Sequence, residues 1–133
     1  MIDGRFFDLI TEIAERLDHD WTVEEMAART GFSLAHFCSV FKKVTLLTPT
    51  GYLKETRLHR AKHLLENTYD HIDQIGIQVG MRDPSHFTRD FKAKFGVTPT
   101  EHRRQFQEKR QAEILKRQAE LQKWTEIGDL AKK

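Results

Sequence analysis

The sequence predicts an all-α chain of about seven helices, in which two copies of a two-helix unit stand on either side of a connecting helix. Three observations carry this. The chain matches itself when displaced by about 50 residues, so that Thr22 to Thr50 lies over His71 to Thr100. Apolar residues recur at helical spacing between capping and stopping residues. No stretch shows the apolar and polar alternation of a convincing strand.

The self-match is specific. Ala27 falls on Gly76 and Gly31 on Gly80. After one extra residue in the second turn, His36-Phe37 falls on His86-Phe87, Phe41-Lys42 on Phe91-Lys92, and Thr48-Pro49-Thr50 on Thr98-Pro99-Thr100. One supersecondary unit is therefore present twice.

Before the repeats, Phe6, Ile10, Ile13, Ala14 and Leu17 follow the spacing of one helix face. In the first copy, Thr22 and Glu25 form a capping-box pattern, Val23, Met26 and Ala27 supply an apolar face, and Gly31 offers the left-handed conformation that stops a helix. Ser33 then caps a second helix whose inward side is expected to hold Leu34, Phe37, Val40, Phe41 and Val44. Thr48-Pro49 opens a connector running to about Asn67, with Leu53, Ala61, Leu64 and Leu65 among its apolar positions. The second copy repeats the logic with Ile72, Ile75 and Val79 as the face, Gly80 as the stop, and Asp83-Pro84 as cap and first helical residue. Ala27 and Gly76 are small where the paired helices must cross closely. Thr98-Pro99-Thr100-Glu101 opens a last, polar helix expected to reach about Trp124. The expected subdivision is 1–47 as a first helix-turn-helix subdomain with its N-terminal helix, 48–67 as linker helix, 68–110 as a second such subdomain, and 111–133 as a polar helical extension.

Length and composition bound the function. A chain of 133 residues with 32% charged and 38% hydrophobic residues has a globular balance. No apolar run approaches the roughly 18 residues of a spanning helix, and Asp3 and Asp8 spoil a signal-peptide profile, so a cytoplasmic protein is expected. The single cysteine, Cys38, cannot form an internal disulfide. The formal charge of +2 is unevenly spread: residues 1–20 carry −4 and the remainder +6, so a polyanion is expected to meet the later part.

Residues from about 5 to 104 resemble the DNA-binding domain of AraC/XylS-type transcription regulators. The similarity rests on Gly80, Asp83, Ser85-His86-Phe87, Arg89, Phe91-Lys92, Phe95-Gly96 and Thr98-Pro99 in the second unit. In the linker it rests on Tyr52-Leu53, Arg57-Leu58, Ala61 and Leu64-Leu65. Gly76, Met81 and His102 depart from the alanine, phenylalanine and tyrosine usual in the family, and are expected to soften packing in the second unit. The resemblance implies transcription regulation, with activation as the expected direction and RNA polymerase as the expected protein partner. It also implies a sensory or receiver domain in front of the DNA-binding part, for which these residues leave no room. The chain is then either an excised C-terminal piece or a naturally small regulator.

A helix-turn-helix reads DNA by placing its second helix in the major groove, where every base pair presents a distinct pattern. With Phe37 and Phe41 inward, the wheel turns Ala35, Ser39, Lys42 and Lys43 outward and sets Cys38 at the rim. With Phe87 and Phe91 inward, Ser85, Arg89, Lys92 and Ala93 face outward with Thr88 at the rim. The resemblance implies base contacts from the equivalent positions of both helices. Arg89 can bond guanine O6 and N7 together, whereas Ala35, Cys38 and Ser39 are short and undiscriminating. Lys42, Lys43 and Lys92 suit phosphates. His36 and His86, matched across the repeat, complete the candidate DNA-binding set, with a shared structural role as the competing reading. A connector of 19 residues spans about 28 Å, near the ~34 Å between successive major-groove faces, so one chain can reach both as a monomer if the DNA bends toward it.

The competing readings are weaker. The buried-looking phenylalanines are core rather than stacking platforms. His59 and His63, four apart on the linker, lack a third metal ligand, and no cofactor is expected. No phosphate loop, activated nucleophile or ligand cluster points to an enzyme. A helical protein-interaction module, docking through Ile114, Leu121 and Trp124, remains the alternative. Outward Arg89, Lys42 and Lys92 argue against it.

Overall fold

The computed structural model describes residues 4–131, and every regular element among them is helical. In order these are α1 (Gly4–Glu15), α2 (Val23–Thr30), α3 (Leu34–Thr45), α4 (Pro49–Asn67), α5 (Ile72–Gln78), α6 (Pro84–Phe95) and α7 (Pro99–Ala131). α2 with α3 and α5 with α6 are the two repeated units, and α4 is the connector. α1 to α6 form one compact unit, and α7 beyond Pro99 forms another. α7 passes Trp124, its expected end, and reaches Ala131. Among the described residues no helix is long and apolar enough to cross a membrane.

The helix boundaries follow from local chemistry. Thr22, Ser33 and Thr48 hydroxyls accept from the backbone N–H groups of Glu25, His36 and Gly51 at 3.1, 3.3 and 3.1 Å. The Asp83 carboxylate accepts from Ser85 and His86 N–H at 2.9 and 3.4 Å. The capping box at Thr22 forms only in half, because the Glu25 carboxylate is drawn to His19 Nε2, 2.9 Å away. α3 and α6 both end in a left-handed residue. In α6 it is Gly96 (φ 84°), but in α3 it is Leu46 (φ 64°), an ordinary side chain in a conformation that costs about 1–2 kcal/mol.

Two separate cores lie along α4. Phe6, Leu9, Ile13, Leu17, Trp21, Met26, Ala27, Phe37, Phe41 and Leu53 form the first. Leu58, Ala61, Leu65, Ile75, Val79, Phe87 and Phe91 form the second. The linker helix thus changes core between Leu53 and Leu58, one and a half turns apart. Three expectations of the helical wheel fail here. Leu34 and Val44 are exposed rather than inward, while Phe37 and Phe41 are the buried residues of α3. In α1 it is Leu9, not Ala14, that is buried.

Gly76 does not soften the second unit. A methyl group there would stand 2.8 Å from the Met81 carbonyl oxygen and 3.2 Å from the Phe87 ring. The missing side chain lets the turn and α6 close onto α5, and Met81 N–H donates to the Gly76 carbonyl at 2.7 Å.

A polar cluster fastens α1 to α2. Arg29 donates to the Glu12 carboxylate and lies 3.3 Å from Glu25, and its guanidinium sits 5.4 Å from the Trp21 ring centre. The hydrogen bond from Arg29 holds the Glu12 carboxyl below its usual range, and that from His19 does the same for Glu25. A carboxylate whose folded pKa is depressed stabilises the fold fully above its unfolded pKa and loses that contribution as pH falls through the folded one. Stability is therefore expected to decline from about the ordinary value of 4.5 downward. Glu12→Gln should lower the urea midpoint at neutral pH and lose part of that difference in acid. Parallel wild-type and variant curves across that range would show that Glu12 has no such role.

Candidate nucleic-acid interface

The turn after α2 and the cap at Ser33 aim α3 outward with Phe37 and Phe41 as its anchors. The turn after α5 and the Asp83 cap do the same for α6 through Phe87 and Phe91. Exposure then follows the same pattern at both helices. Ala35, Ser39, Lys42 and Lys43 are exposed on α3, as are Ser85, Arg89, Lys92 and Ala93 on α6, while Cys38 and Thr88 are half-buried. Each helix thus offers one mostly polar strip to solvent. Cys38 is a free thiol packed against the first core.

The strips differ chemically. On α6, Arg89 is 70% exposed and its Nε lies 3.9 Å from the Asp90 carboxylate, too far to hold it in one position. On α3 the matching residue is Ser39. Lys42, Lys43 and Lys92 have no ion-pair partner among the described residues, which leaves their ammonium groups available to an anion. Their place in the last turns of α3 and α6 also suits the helix dipoles. The two matched histidines do not share a role. The His36 ring packs edge-on against Phe32, centroids 4.7 Å apart, whereas His86 Nδ1 lies 3.9 Å from its own cap residue Asp83.

Sequence reading missed the groups that fasten α6 to the linker. Lys54 lies 3.5 Å from Asp90, and Lys94 is 2.7 Å from Glu55. These pairs join residues far apart in the chain, so no local spacing announces them. In α3 the matching positions are Val40 and Val44. His59 and His63 turn to different neighbours: His59 packs edge-on to Phe95 at 5.5 Å, and His63 Nδ1 lies 3.3 Å from Asn67. No group of three or more metal-capable side chains occurs among the described residues.

Two second helices, each exposed along one strip and both mounted on a single connector, define the class as a tandem helix-turn-helix DNA-binding domain. The chain belongs to the AraC/XylS-type family: the family described as a helix-turn-helix domain matches residues 26–105. The chain is 34% identical over 101 residues to the transcriptional activator RhaS of Escherichia fergusonii, covering 76% of this chain and 36% of that protein. It is 27% identical over 103 residues to the transcriptional regulator MtrA of Neisseria gonorrhoeae, covering 77% and 34%. The solved DNA-binding domain of AdpA, a global transcriptional factor in complex with a target DNA, superposes with a TM-score of 0.78 at 25% identity. That match covers 81% of this chain and 97% of that one. The chain spans about a third of the length of the two curated relatives.

Proposed function

We propose that this chain binds double-stranded DNA sequence-specifically as a bacterial transcription regulator or the DNA-binding part of one, with α3 and α6 in successive major grooves. The observation that carries the reading is the matched exposure of the two strips on two helices that both pack against α4. Residues 1–47 and 68–110 act as the two reading subdomains and 48–67 as the connector. Arg89 reads a guanine; Ala35, Cys38, Ser39, Ser85 and Thr88 line the grooves; Lys42, Lys43 and Lys92 take phosphates; His36 and His86 stand at the groove edge. The domain works as a non-catalytic monomer in the cytoplasm, and activates transcription through contact with RNA polymerase. A sensory or receiver domain supplies the signal where the domain is part of a longer protein. A footprint on a selected site is the direct test: protection of two successive major grooves on one face supports the reading, and protection of one groove removes α3 from it. Affinity should also fall steeply with salt, since phosphate contacts release counterions.

The unequal strips carry a sharper expectation. Base substitutions under α6 should cost about 1–3 kcal/mol each, and those under α3 distinctly less. Selection from a random DNA pool should then return one defined half containing a guanine and one diffuse half. Equal sharpness in both halves would mean that shape or bridging water, rather than Arg89, carries the discrimination.

A further inference from the structure

We propose that Arg57, seated over Gly80, fixes the angle between the two recognition helices by gripping the turn that follows α1. α1 ends at Glu15, and Leu17 and His19 lie in the turn that follows, where backbone carbonyls have no helical ladder and take partners from elsewhere in the fold. Arg57 Nε donates to the Leu17 carbonyl at 3.0 Å and its Nη2 to the His19 carbonyl at 2.8 Å, across 40 and 38 residues of chain. Arg82, in the turn before α6, reaches the Asp18 carbonyl at 3.5 Å. Groups of the linker and the second unit therefore hold the turn that follows the first unit's leading helix.

Arg57 stands on α4 between Leu53, which belongs to the first core, and Leu58, which belongs to the second. It is half-buried there, and burial lowers its pKa while nearby Asp18 and Asp20 favour its charge. Gly80 makes the grip possible. A methyl group at Gly80 would lie 2.6 Å from the Leu17 carbonyl oxygen and 2.8 Å from Arg57 Nε, and its φ is 87°. The matching Gly31 also turns left-handed, but the atoms above it belong to the end of the flexible Arg5 side chain. Gly31 thus serves its turn alone, while Gly80 also admits the backbone of the other unit. Without the two charged hydrogen bonds, the units would remain joined mainly through α4, and their angle would be free to vary.

The angle can be read without DNA. Spin labels at Glu24→Cys on α2 and Gln74→Cys on α5, in a Cys38→Ser background, report the separation of the units by pulsed electron double resonance. One narrow distance distribution is expected with Arg57 present. Arg57→Met, or Arg57→Gln where the methionine variant does not fold, should broaden and shift it, and Arg57→Lys should restore part of the width. Ile75→Val, which weakens the second core without touching the grip, should leave it narrow. A distribution unchanged in a folded neutral variant would overturn the proposal.

The consequence for DNA rests on the proposed two-groove reading and is measured separately. With one or two base pairs inserted between half-sites, the unlabelled wild type should lose about tenfold in affinity or more, and Arg57→Met should lose markedly less. A broadened distribution in the variant, with no spacing penalty even in the wild type, would sink the two-groove reading and leave the grip standing.

Discussion

Replacing Arg89 with alanine is expected to weaken binding to the preferred site by about 1–3 kcal/mol, and to erase the preference at a single guanine. The side chain is 70% exposed on the outer strip of α6 and only loosely paired with Asp90 at 3.9 Å, so its guanidinium pays little to leave that contact for a base edge. Lys92→Ala supplies the contrast. One turn further along the strip, it should weaken binding to all sequences alike and lower the salt slope by about one unit. Competition binding on the selected site and its single-base variants, repeated across salt concentrations, reads both effects. If Arg89→Ala weakened all variants equally, Arg89 would be a phosphate contact and another residue the reader.

Phe41→Ala is expected to cost about 3–5 kcal/mol of stability, a large part of the 5–15 kcal/mol that holds a typical domain folded. Its ring is fully buried and meets Phe6, Phe37 and Tyr52 at 5.6, 5.4 and 5.3 Å between centroids. Because the two cores are distinct along α4, the loss should be local first. Native-state hydrogen exchange should show α1 to α3 losing protection well before α5 and α6. Phe91→Ala, in the second core, should reverse the order. Equal loss across all six helices in both variants would show that the cores unfold as one.

The repeat, the caps and the buried phenylalanines were legible in the sequence because each depends on neighbours within a few residues. A hydroxyl three positions before an N–H, a glycine after the last turn and an aromatic pair four apart are local facts, and Thr22, Ser33, Thr48 and Asp83 cap where expected. The outer strips followed from the same wheel once Phe37, Phe41, Phe87 and Phe91 were placed inward. The periodic pattern overreached where burial depends on how wide a face the partner covers. Leu34 and Val44 have the right spacing, yet stay 45% and 41% exposed.

Sequence alone determined the helices, the duplication and the chemical inequality of the two strips, since side-chain identity and short-range hydrogen bonding decide all three. Only the tertiary structure decided how the units are held. The Glu12–Arg29 and Lys54–Asp90 pairs, and above all Arg57 on the carbonyls of Leu17 and His19, join groups 17 to 40 residues apart. Backbone carbonyls are identical at every position and carry no mark in the sequence. Which of them an arginine meets is therefore set by the packing of α1 and α4, not by any motif.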